Sequence, residues 1–270
     1  MSASQVPPGE PPLELVVLGS GTALPDPARG PTGLAVRAAD GPWWWIDGGS
    51  GTLHRSAAAG IDPLALAGGL LSHRHLDHSA DLAPLLFARR VARVAATYHL
   101  VGGAGLEAHV DALRTAHGHG LDTPLQLTEL SLDGPTTMQL GGLSLSTAPA
   151  NHRAGALHLR LDAGGRSVVF SGDTGPSRAL VELARGADLL VCACALASGD
   201  PYPFHLDAPA VAEIAATAQP GEVWLTHLYP GVDAAQAVAC VAATGVPVRR
   251  AADGDRWPAL SVRVPPAATR

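Results

Sequence analysis

The sequence predicts an α/β fold in which two β-sheets pack face to face and helices cover their outer sides. Short apolar strands come first along the chain, and strands then alternate with helices twice over. The 270 residues are 47% hydrophobic and include 31 Gly and 23 Pro, so a sizeable core is cut by many turns. Because no linker interrupts this pattern, we expect a polar, disordered tail over 1–12 and a single domain over 13–270.

The first half of the chain alternates apolar runs with turn residues. Strands are expected at 13–18, 33–38, 43–46, 66–71 and 96–101, and helices at 52–59, 79–95 and 105–117. The helix at 79–95 carries three arginines that are expected on its solvated face: Arg89, Arg90 and Arg93.

The second half begins with short alternating segments over 125–149, which predict a β-meander. A hairpin over 155–162 and 166–170 is expected around Gly164 and Gly165. Helices then alternate with strands, the helices at 177–185, 208–218 and 233–243 and the strands at 189–195, 223–226 and 246–251.

The charge and cysteine content exclude several classes of protein. The net charge is -6 and all 18 basic residues are arginine, so an extended nucleic-acid surface is not expected. Three cysteines do not make a disulfide framework, and Cys192 and Cys194 are expected to be small buried residues on one face of a strand. Without a signal peptide or an apolar run long enough for a bilayer, we expect a cytoplasmic protein with no membrane partner.

Four residues of metal-ligand type lie within six positions at the end of the strand predicted at 66–71. The alternation of His73 and His75 places two imidazoles on one side of an extended chain, and Asp77 and His78 follow as the chain turns. Imidazole nitrogen and carboxylate oxygen are the donors that borderline metals such as zinc prefer. The run therefore predicts a metal site.

Three more residues of this type each follow an apolar strand. His152 follows the predicted meander, Asp173 follows 168–172, and His227 follows 223–226. Strand ends over a packed core form a rigid scaffold for metal ligands. With the histidine run, they predict a site at which two divalent ions roughly 3.5–4 Å apart share a hydroxide.

The chain resembles the metallo-β-lactamase superfamily and, within it, the ribonuclease Z-like branch. The resemblance runs from about Leu13 to Trp257 and implies a four-layer αββα sandwich with its site at one edge. It rests on these motifs: Leu-Gly-Ser-Gly-Thr at 18–22, Ile-Asp-Gly-Gly at 46–49, Ser-His-Arg-His-Leu-Asp-His at 72–78, His152, Ser-Gly-Asp-Thr-Gly-Pro at 171–176 and Leu-Thr-His-Leu at 225–228.

The resemblance also implies a role for each site residue. It implies two divalent metal ions, for which zinc is expected and manganese or iron are alternatives. Members of the branch are often dimers, which suggests a homodimer. The implied first metal is bound by His73, His75 and His152, the second by Asp77, His78 and His227, and Asp173 bridges both; Asp47 supports the histidine loop, and the catalytic residues are Asp77 and His205, the latter as proton donor or as stabiliser of negative charge.

Two departures from the branch argue against tRNA processing. Members that process the 3′ end of tRNA carry a long basic arm between the third metal histidine and the bridging aspartate. Here the residues between His152 and Asp173 suffice for a tight hairpin but not for that arm. Ala193 stands where the branch has the glutamate that partners the catalytic histidine.

The sequence therefore predicts a metal-dependent hydrolase of small anionic esters, with phosphodiesters as the first expectation. The same site could cleave sulfate esters, carboxylic esters, lactones or phosphotriesters, since the same hydroxide serves all of them. An arm-less endonuclease that processes tRNA 3′ ends is a further alternative. A member of a different class, which binds a metal or ligand without catalysis, is the last.

Overall fold

The computed structural model describes residues 12–258. The tail predicted over 1–12 lies, apart from Pro12, outside the described residues. The described chain forms two seven-stranded sheets. No helix within 12–258 is long and apolar enough to cross a membrane.

The first sheet contains the strands of the N-terminal half and one late strand. Its order is β14-β1-β2-β3-β4-β5-β6. The strands are β1 (Leu13–Gly19), β2 (Gly33–Ala38), β3 (Trp44–Ile46), β4 (Gly68–Leu71), β5 (Tyr98–Gly103), β6 (Leu125–Leu130) and β14 (Arg256–Trp257).

The second sheet has the order β13-β12-β11-β10-β9-β8-β7. Its central strands pair in parallel, as expected for strands connected through helices. The strands are β7 (Thr136–Leu140), β8 (Leu143–Pro149), β9 (Leu157–Ala163), β10 (Arg166–Phe170), β11 (Leu189–Ala193), β12 (Glu222–Thr226) and β13 (Val248–Arg250).

Seven helices cover the outer sides of the two sheets in the described chain. One core cluster lies between the sheets, and two others lie between each sheet and its helices, which confirms the four-layer αββα sandwich. The helices are α1 (Thr52–Ala58), α2 (Leu76–Ser79), α3 (Leu82–Val91), α4 (Leu106–His117), α5 (Arg178–Ala184), α6 (Ala208–Ala218) and α7 (Ala234–Ala242).

The prediction of a meander over 125–149 is wrong in one respect. β6 pairs in parallel with β5 in the first sheet, while β7 and β8 form a hairpin in the second. The alternation of apolar and polar residues does not indicate which sheet a strand joins, because a strand buries one face in either sheet. The late strand β14, which pairs with β1, was not predicted.

The predicted helix over 79–95 is also different in the structure. It is divided into α2 and α3 at Asp81, which bonds to an earlier part of the chain: its Oδ2 accepts from the Leu53 amide of α1 at 2.7 Å and its own amide donates to the Gly48 carbonyl at 2.8 Å. The expectation of a solvated Arg89 is wrong. Arg89 is fully buried, where its guanidinium donates to the carbonyls of Leu64 and Ala96.

Cys192 and Cys194 are both buried against the helices of the second sheet, as predicted for small apolar residues.

The hairpin predicted around Gly164 and Gly165 is formed by β9 and β10. Both glycines have positive φ angles, 53° and 77°, which glycine adopts without the strain of a Cβ atom. The loops that follow β4, β8, β10 and β12 lie at one edge of the sandwich.

Candidate metal centre

The seven residues predicted to bind metal converge at one edge of the sandwich. The histidine run follows β4, His152 follows β8, Asp173 follows β10 and His227 follows β12. Backbone hydrogen bonds tie these loops across the two sheets: the Leu157 amide donates to the Ser72 carbonyl and the His227 amide to the Ser20 carbonyl. The ends of buried strands therefore fix the site.

One group of candidate ligands comprises His73, His75, His152 and Asp173. One potential ligand atom of each lies within 4.8 Å of those of the others. Nδ1 of His75 is 3.0 Å from Nε2 of His73 and 3.1 Å from Nε2 of His152. Three ring nitrogens thus point to a common position, as the ligands of a tetrahedral metal would.

The second group comprises Asp77, His78 and His227, again within 4.8 Å of one another. Oδ2 of Asp173 lies 3.4 Å from Nε2 of His78 and 3.3 Å from Nε2 of His227. The same oxygen is 3.8 Å from Nε2 of His73 in the first group. The Asp173 carboxylate therefore lies between the two groups, where it could contact two ions.

In four of the five candidate histidines, a hydrogen bond fixes which ring nitrogen faces the centre. Nδ1 of His78 donates to Oδ2 of Asp47 at 2.7 Å, and Nδ1 of His152 donates to the Phe204 carbonyl at 3.0 Å. Since a neutral imidazole carries one proton, each bond leaves Nε2 with its lone pair free. This is the arrangement in which outer partners orient metal-binding histidines.

The hydroxyl groups of Ser72 and Thr32 likewise orient the rings of His73 and His227. The Ser72 hydroxyl donates to Asp47 at 2.7 Å and so accepts from Nδ1 of His73 at 3.1 Å. The Thr32 hydroxyl donates to the Gly21 carbonyl and so accepts from Nδ1 of His227 at 2.9 Å. Nε2 of both rings is therefore directed to the centre as an acceptor.

Asp47 supports the site, although its carboxylate also lies within 4.8 Å of ring nitrogens of His73 and His78. Its two oxygens accept from the Ser72 amide, the Ser72 hydroxyl and Nδ1 of His78, each at 2.7 Å. Asp47 has a φ of 57°, a strained conformation for a residue with a side chain. Both oxygens of Asp47 are therefore engaged by residues of the histidine loop.

Three buried polar atoms at the centre have no hydrogen-bond partner: Nε2 of His78, Nε2 of His227 and Oδ1 of Asp173. Each unpaired buried group of this kind costs about 1–3 kcal/mol. Divalent cations would satisfy all three atoms, and the donor set of imidazoles and carboxylates is the one that zinc accepts. The residues therefore fit a metal centre.

The charges of most side chains at the centre match this chemistry. Burial lowers the pKa values of His73, His75 and His227, so these rings are neutral, which is the form that binds metal. His78 differs: burial opposes its charge too, but Asp173 and Asp47 outweigh burial and raise its pKa well above the usual value, so a metal ion would have to displace the proton from its Nε2. Burial likewise opposes the Asp173 carboxylate, but His227, His78 and His73 hold its pKa well below the usual range. The bridging position therefore holds an anion.

His205 lies beside the two groups without belonging to either. Its ring centroid is 5.0 Å from that of His152 and 6.1 Å from that of His227. Its Nδ1 is 4.0 Å from Oδ2 of Asp173 and has no hydrogen-bond partner, although the side chain is 11% exposed. Burial lowers the pKa of His205 to about 4, so the ring is neutral near pH 7. His205 therefore places an unpaired ring nitrogen beside the two groups of candidate ligands.

The two expected departures from the tRNA-processing members are visible in the structure. Between His152 and Asp173 the chain forms β9, a tight turn and β10, with no projecting arm. Ala193 ends β11 and is buried, so no carboxylate stands at this position to partner His205.

Three aromatic residues around His205 were not predicted. We call Tyr202, Phe204 and Tyr229 the aromatic rim; the Tyr229 ring centroid is 5.5 Å from that of His227 and 6.0 Å from that of His205. In the sequence, these residues are marked as part of the site only by their nearness to His205 and His227. They lie in loops, whose paths are not evident from periodicity.

The chain was compared with known families and proteins. Residues 45–228 match the model of the beta-lactamase superfamily domain. A ribonuclease Z of Mycobacterium marinum (strain ATCC BAA-535 / M) is 31% identical over 249 residues, with 83% of this chain and 89% of the relative covered. A ribonuclease Z of Mycobacterium avium (strain 104) is 33% identical over 250 residues, with the same two shares covered.

Solved structures share the fold. The metallo-beta-lactamase fold protein YhfI from Bacillus subtilis has a TM-score of 0.79 at 23% identity, covering 92% of this chain and 99% of its own. The short form of human tRNase Z has a TM-score of 0.74 at 19% identity, with 90% and 98% covered. A diphosphatase from the PhnP family has a TM-score of 0.69 at 21% identity, with 90% and 96% covered.

The family model spans most of the chain, and the relatives match it along most of their length. The fold of this family implies binding of divalent metal, for which the clustered histidines and aspartates are suited. The chain therefore belongs to the metallo-β-lactamase superfamily, in its ribonuclease Z-like branch, and is a metal-dependent hydrolase.

Proposed function

We propose that this hydrolase uses two divalent ions to cleave small phosphodiesters. The observation that carries the proposal is the pair of candidate ligand groups that share Asp173. Two ions held by these groups would supply a nucleophile from water at neutral pH and positive charge for an anionic ester. Two carboxylates, Asp77 and Asp173, would only partly neutralise the charge of two divalent ions, so the centre would attract an anion.

The ligand assignment follows from the directions of the ring nitrogens. His73, His75 and His152 would hold one ion, Asp77, His78 and His227 would hold the other, and Asp173 would serve both. Asp47 orients His78 directly and His73 through Ser72. The donor set favours zinc, with manganese and iron as the alternatives that metal analysis would reveal.

His205 is proposed to act on the leaving group. Its unpaired Nδ1 faces the centre 4.0 Å from Asp173, close enough to reach an ester oxygen bound there. It would donate a proton or a hydrogen bond to that oxygen as negative charge develops. Asp77 contributes to catalysis by holding the second ion.

Small substrates are favoured by the absence of an arm and by the charge of the chain. A tight β9–β10 turn stands where an extended RNA-binding arm would have to begin, and the net charge of -6 opposes the tracking of an RNA backbone.

Cleavage of tRNA precursors is the second candidate. It is favoured by the two mycobacterial relatives, which are named ribonuclease Z and match this chain along most of its length. Both candidates attack a phosphodiester, so they differ in the size of the substrate and not in the bond.

A panel of substrates measured on one metal-analysed sample tests the proposal. We expect about two metal ions per chain and faster turnover of bis(p-nitrophenyl) phosphate than of p-nitrophenyl sulfate, p-nitrophenyl acetate, a lactone or precursor tRNA. Turnover of the diester no faster than buffer would refute the leading candidate, and preferred cleavage of precursor tRNA would establish the second.

Asp173→Ala tests the metal assignment. Loss of the shared carboxylate should remove both ions, whereas Asp162→Ala, at an outer strand position where Asp162 pairs with Arg160, should keep them. Full metal content in Asp173→Ala would show that the bridge is assigned to the wrong residue.

A further inference from the structure

A continuous stack of rings leads from the metal centre to the surface. The ring of His205 is stacked on that of His227 at 6.1 Å and 19°, and the ring of Tyr202 is stacked on that of His205 at 5.5 Å and 26°. His227 is fully buried, whereas Tyr202 is 50% exposed. The outermost ring of the stack therefore presents aromatic surface to the solvent beside the reaction site.

Phe204 extends this surface. Its ring is 5.8 Å from that of Tyr202 at an angle of 78°, and it is 40% exposed. The edge-to-face contact is a favoured geometry for an aromatic pair and holds the two rings at a fixed angle.

Backbone contacts fix the loop that carries both rings. The Phe204 carbonyl accepts from Nδ1 of His152, and the Tyr202 amide donates to Oδ1 of Asp200. At its ends the loop is held by the bond from the Leu196 amide to the Leu206 carbonyl. Because one of these partners is a candidate metal ligand, the rings are held at a defined distance from the centre.

Burial in the core does not explain this arrangement. Packing would bury aromatic rings, since each buried ring contributes free energy in proportion to its area, yet these two are about half exposed. Planar aromatic groups are the surfaces on which nucleobases stack, with a gain of roughly 1–3 kcal/mol per base. A chain with no lysine also has fewer cations with which to hold a substrate by charge.

We propose that Tyr202 and Phe204 stack against a planar aromatic group, of the kind a nucleobase provides, which the substrate carries next to its scissile phosphoester. This inference rests on the proposed function, because it places the phosphate at the metal centre. It narrows the substrate class to nucleotide-like esters and makes both rings determinants of specificity.

The test compares two ligands that differ in the base. Adenosine 5′-monophosphate and ribose 5-phosphate both carry a phosphate on a ribose, so calorimetric titration of the metal-loaded protein with each isolates the contribution of the base. We expect the nucleotide to bind between about fivefold and about a hundredfold more tightly, the range that stacking on one base provides. Equal affinities would overturn the proposal.

Variants test whether Tyr202 and Phe204 cause the preference for the nucleotide over ribose 5-phosphate. Tyr202→Ala and Phe204→Ala should each reduce the affinity ratio, and Tyr202→Phe should restore it, because phenylalanine keeps the ring. Phe87→Ala removes an exposed aromatic ring elsewhere and should leave the ratio unchanged. A nucleotide preference that survives in Tyr202→Ala and Phe204→Ala would refute the assignment to these rings.

Turnover separates this inference from the proposed function. The same samples are assayed with bis(p-nitrophenyl) phosphate. Absent turnover in a protein that still prefers the nucleotide would refute the hydrolysis of phosphodiesters but not the stacking, and turnover with equal affinities would refute the stacking alone.

Discussion

At the scale of single residues, the centre depends on the second nitrogen of each ring. In four of the five candidate histidine ligands, Nδ1 bonds to a carboxylate, a hydroxyl or a carbonyl of the protein. The protein thereby sets the direction of Nε2 before any ion arrives, which reduces the entropy lost on binding. Replacement of Ser72 or Thr32 would thus act on the metals without removing a ligand.

His205→Ala should lower turnover of bis(p-nitrophenyl) phosphate by about a hundredfold or more while both metals stay bound, because a positioned acid or donor contributes 10²–10⁴-fold. Metal analysis and kcat are measured on the same sample. His54→Ala, at an exposed position of α1, serves as control and should change neither. Unaltered turnover in His205→Ala would remove this residue from the mechanism.

A buried histidine away from the centre predicts acid sensitivity. His158 is fully buried, with Nδ1 donating to the Ser171 carbonyl and Nε2 bonded to the Ser177 hydroxyl, and burial lowers its pKa from 6.5 to about 4. Between these two pH values the unfolded chain binds a proton that the folded protein excludes. The free energy of unfolding should therefore fall, by ~3 kcal/mol at most, as pH decreases from about 6.5 to about 4.

Urea unfolding of EDTA-treated protein at pH 7 and pH 4.5 measures this effect without a contribution from metal release. His158→Gln should lose less stability over the interval than the wild type, whereas His54→Gln should follow the wild type. Parallel losses in His158→Gln and the wild type would contradict the assignment.

Motifs predicted the residues that bear chemistry, but not the residues that surround them. The converging aspartates and histidines stand directly after strands, so chain order and residue type were sufficient to find them. Tyr202, Phe204 and Tyr229 reach the site through loops, whose paths depend on tertiary contacts. The seven metal assignments and the role of His205 stay predictions that the experiments above test.

At the scale of elements, Arg89 joins three segments. Its guanidinium connects α3 to the carbonyl of Leu64 in a short turn and to that of Ala96 before β5, and lies 5.3 Å from the ring of Tyr98. The helical pattern of the sequence could not reveal this, because an arginine at the edge of an apolar face is normally solvated.

Arg89→Ala should therefore lower the free energy of unfolding by about 3 kcal/mol or more, since it removes a buried side chain with its bonds to two carbonyls and opens a cavity. Arg178→Ala, where the side chain is 92% exposed, should change it by no more than about 0.5 kcal/mol. Urea unfolding measures both, and equal stabilities would mean that the Arg89 contacts are not needed.

Strand pairing was predictable from the sequence where it is local, and not where it joins distant segments. The hairpin of β9 and β10 followed from two adjacent glycines, which is local information. The placement of β6 and the short strand β14 depends on partners far away along the chain, and such pairings leave no local trace.

At the scale of the whole molecule, the centre joins the two sheets. The histidine run belongs to the first sheet, and His152, Asp173 and His227 belong to the second. Ions bound here would therefore link both halves of the sandwich. The homodimer and the cytoplasmic location stay predictions.

Removal of metal with EDTA should abolish turnover and lower the melting temperature by roughly 10 °C, because an ion at a thousand times its Kd adds about 4 kcal/mol to the folded state. Differential scanning calorimetry before and after EDTA measures the shift, and zinc should restore it. Asp173→Ala, which is expected to be metal-free, should show no EDTA effect; a similar shift in this variant would mean that EDTA acts elsewhere.

The strand β14 has a consequence for how the protein is made. Its neighbour Asp253 bonds to the amide and hydroxyl of Ser20, across a separation of 233 residues, and Ser20 in turn accepts from the His227 amide. On the ribosome, β1 leaves early and must wait with one open edge until this distant segment emerges. The nascent chain therefore carries six of the seven candidate ligands before His227 emerges, and the Asp253 bonds that hold the Ser20 partner of His227 form later still.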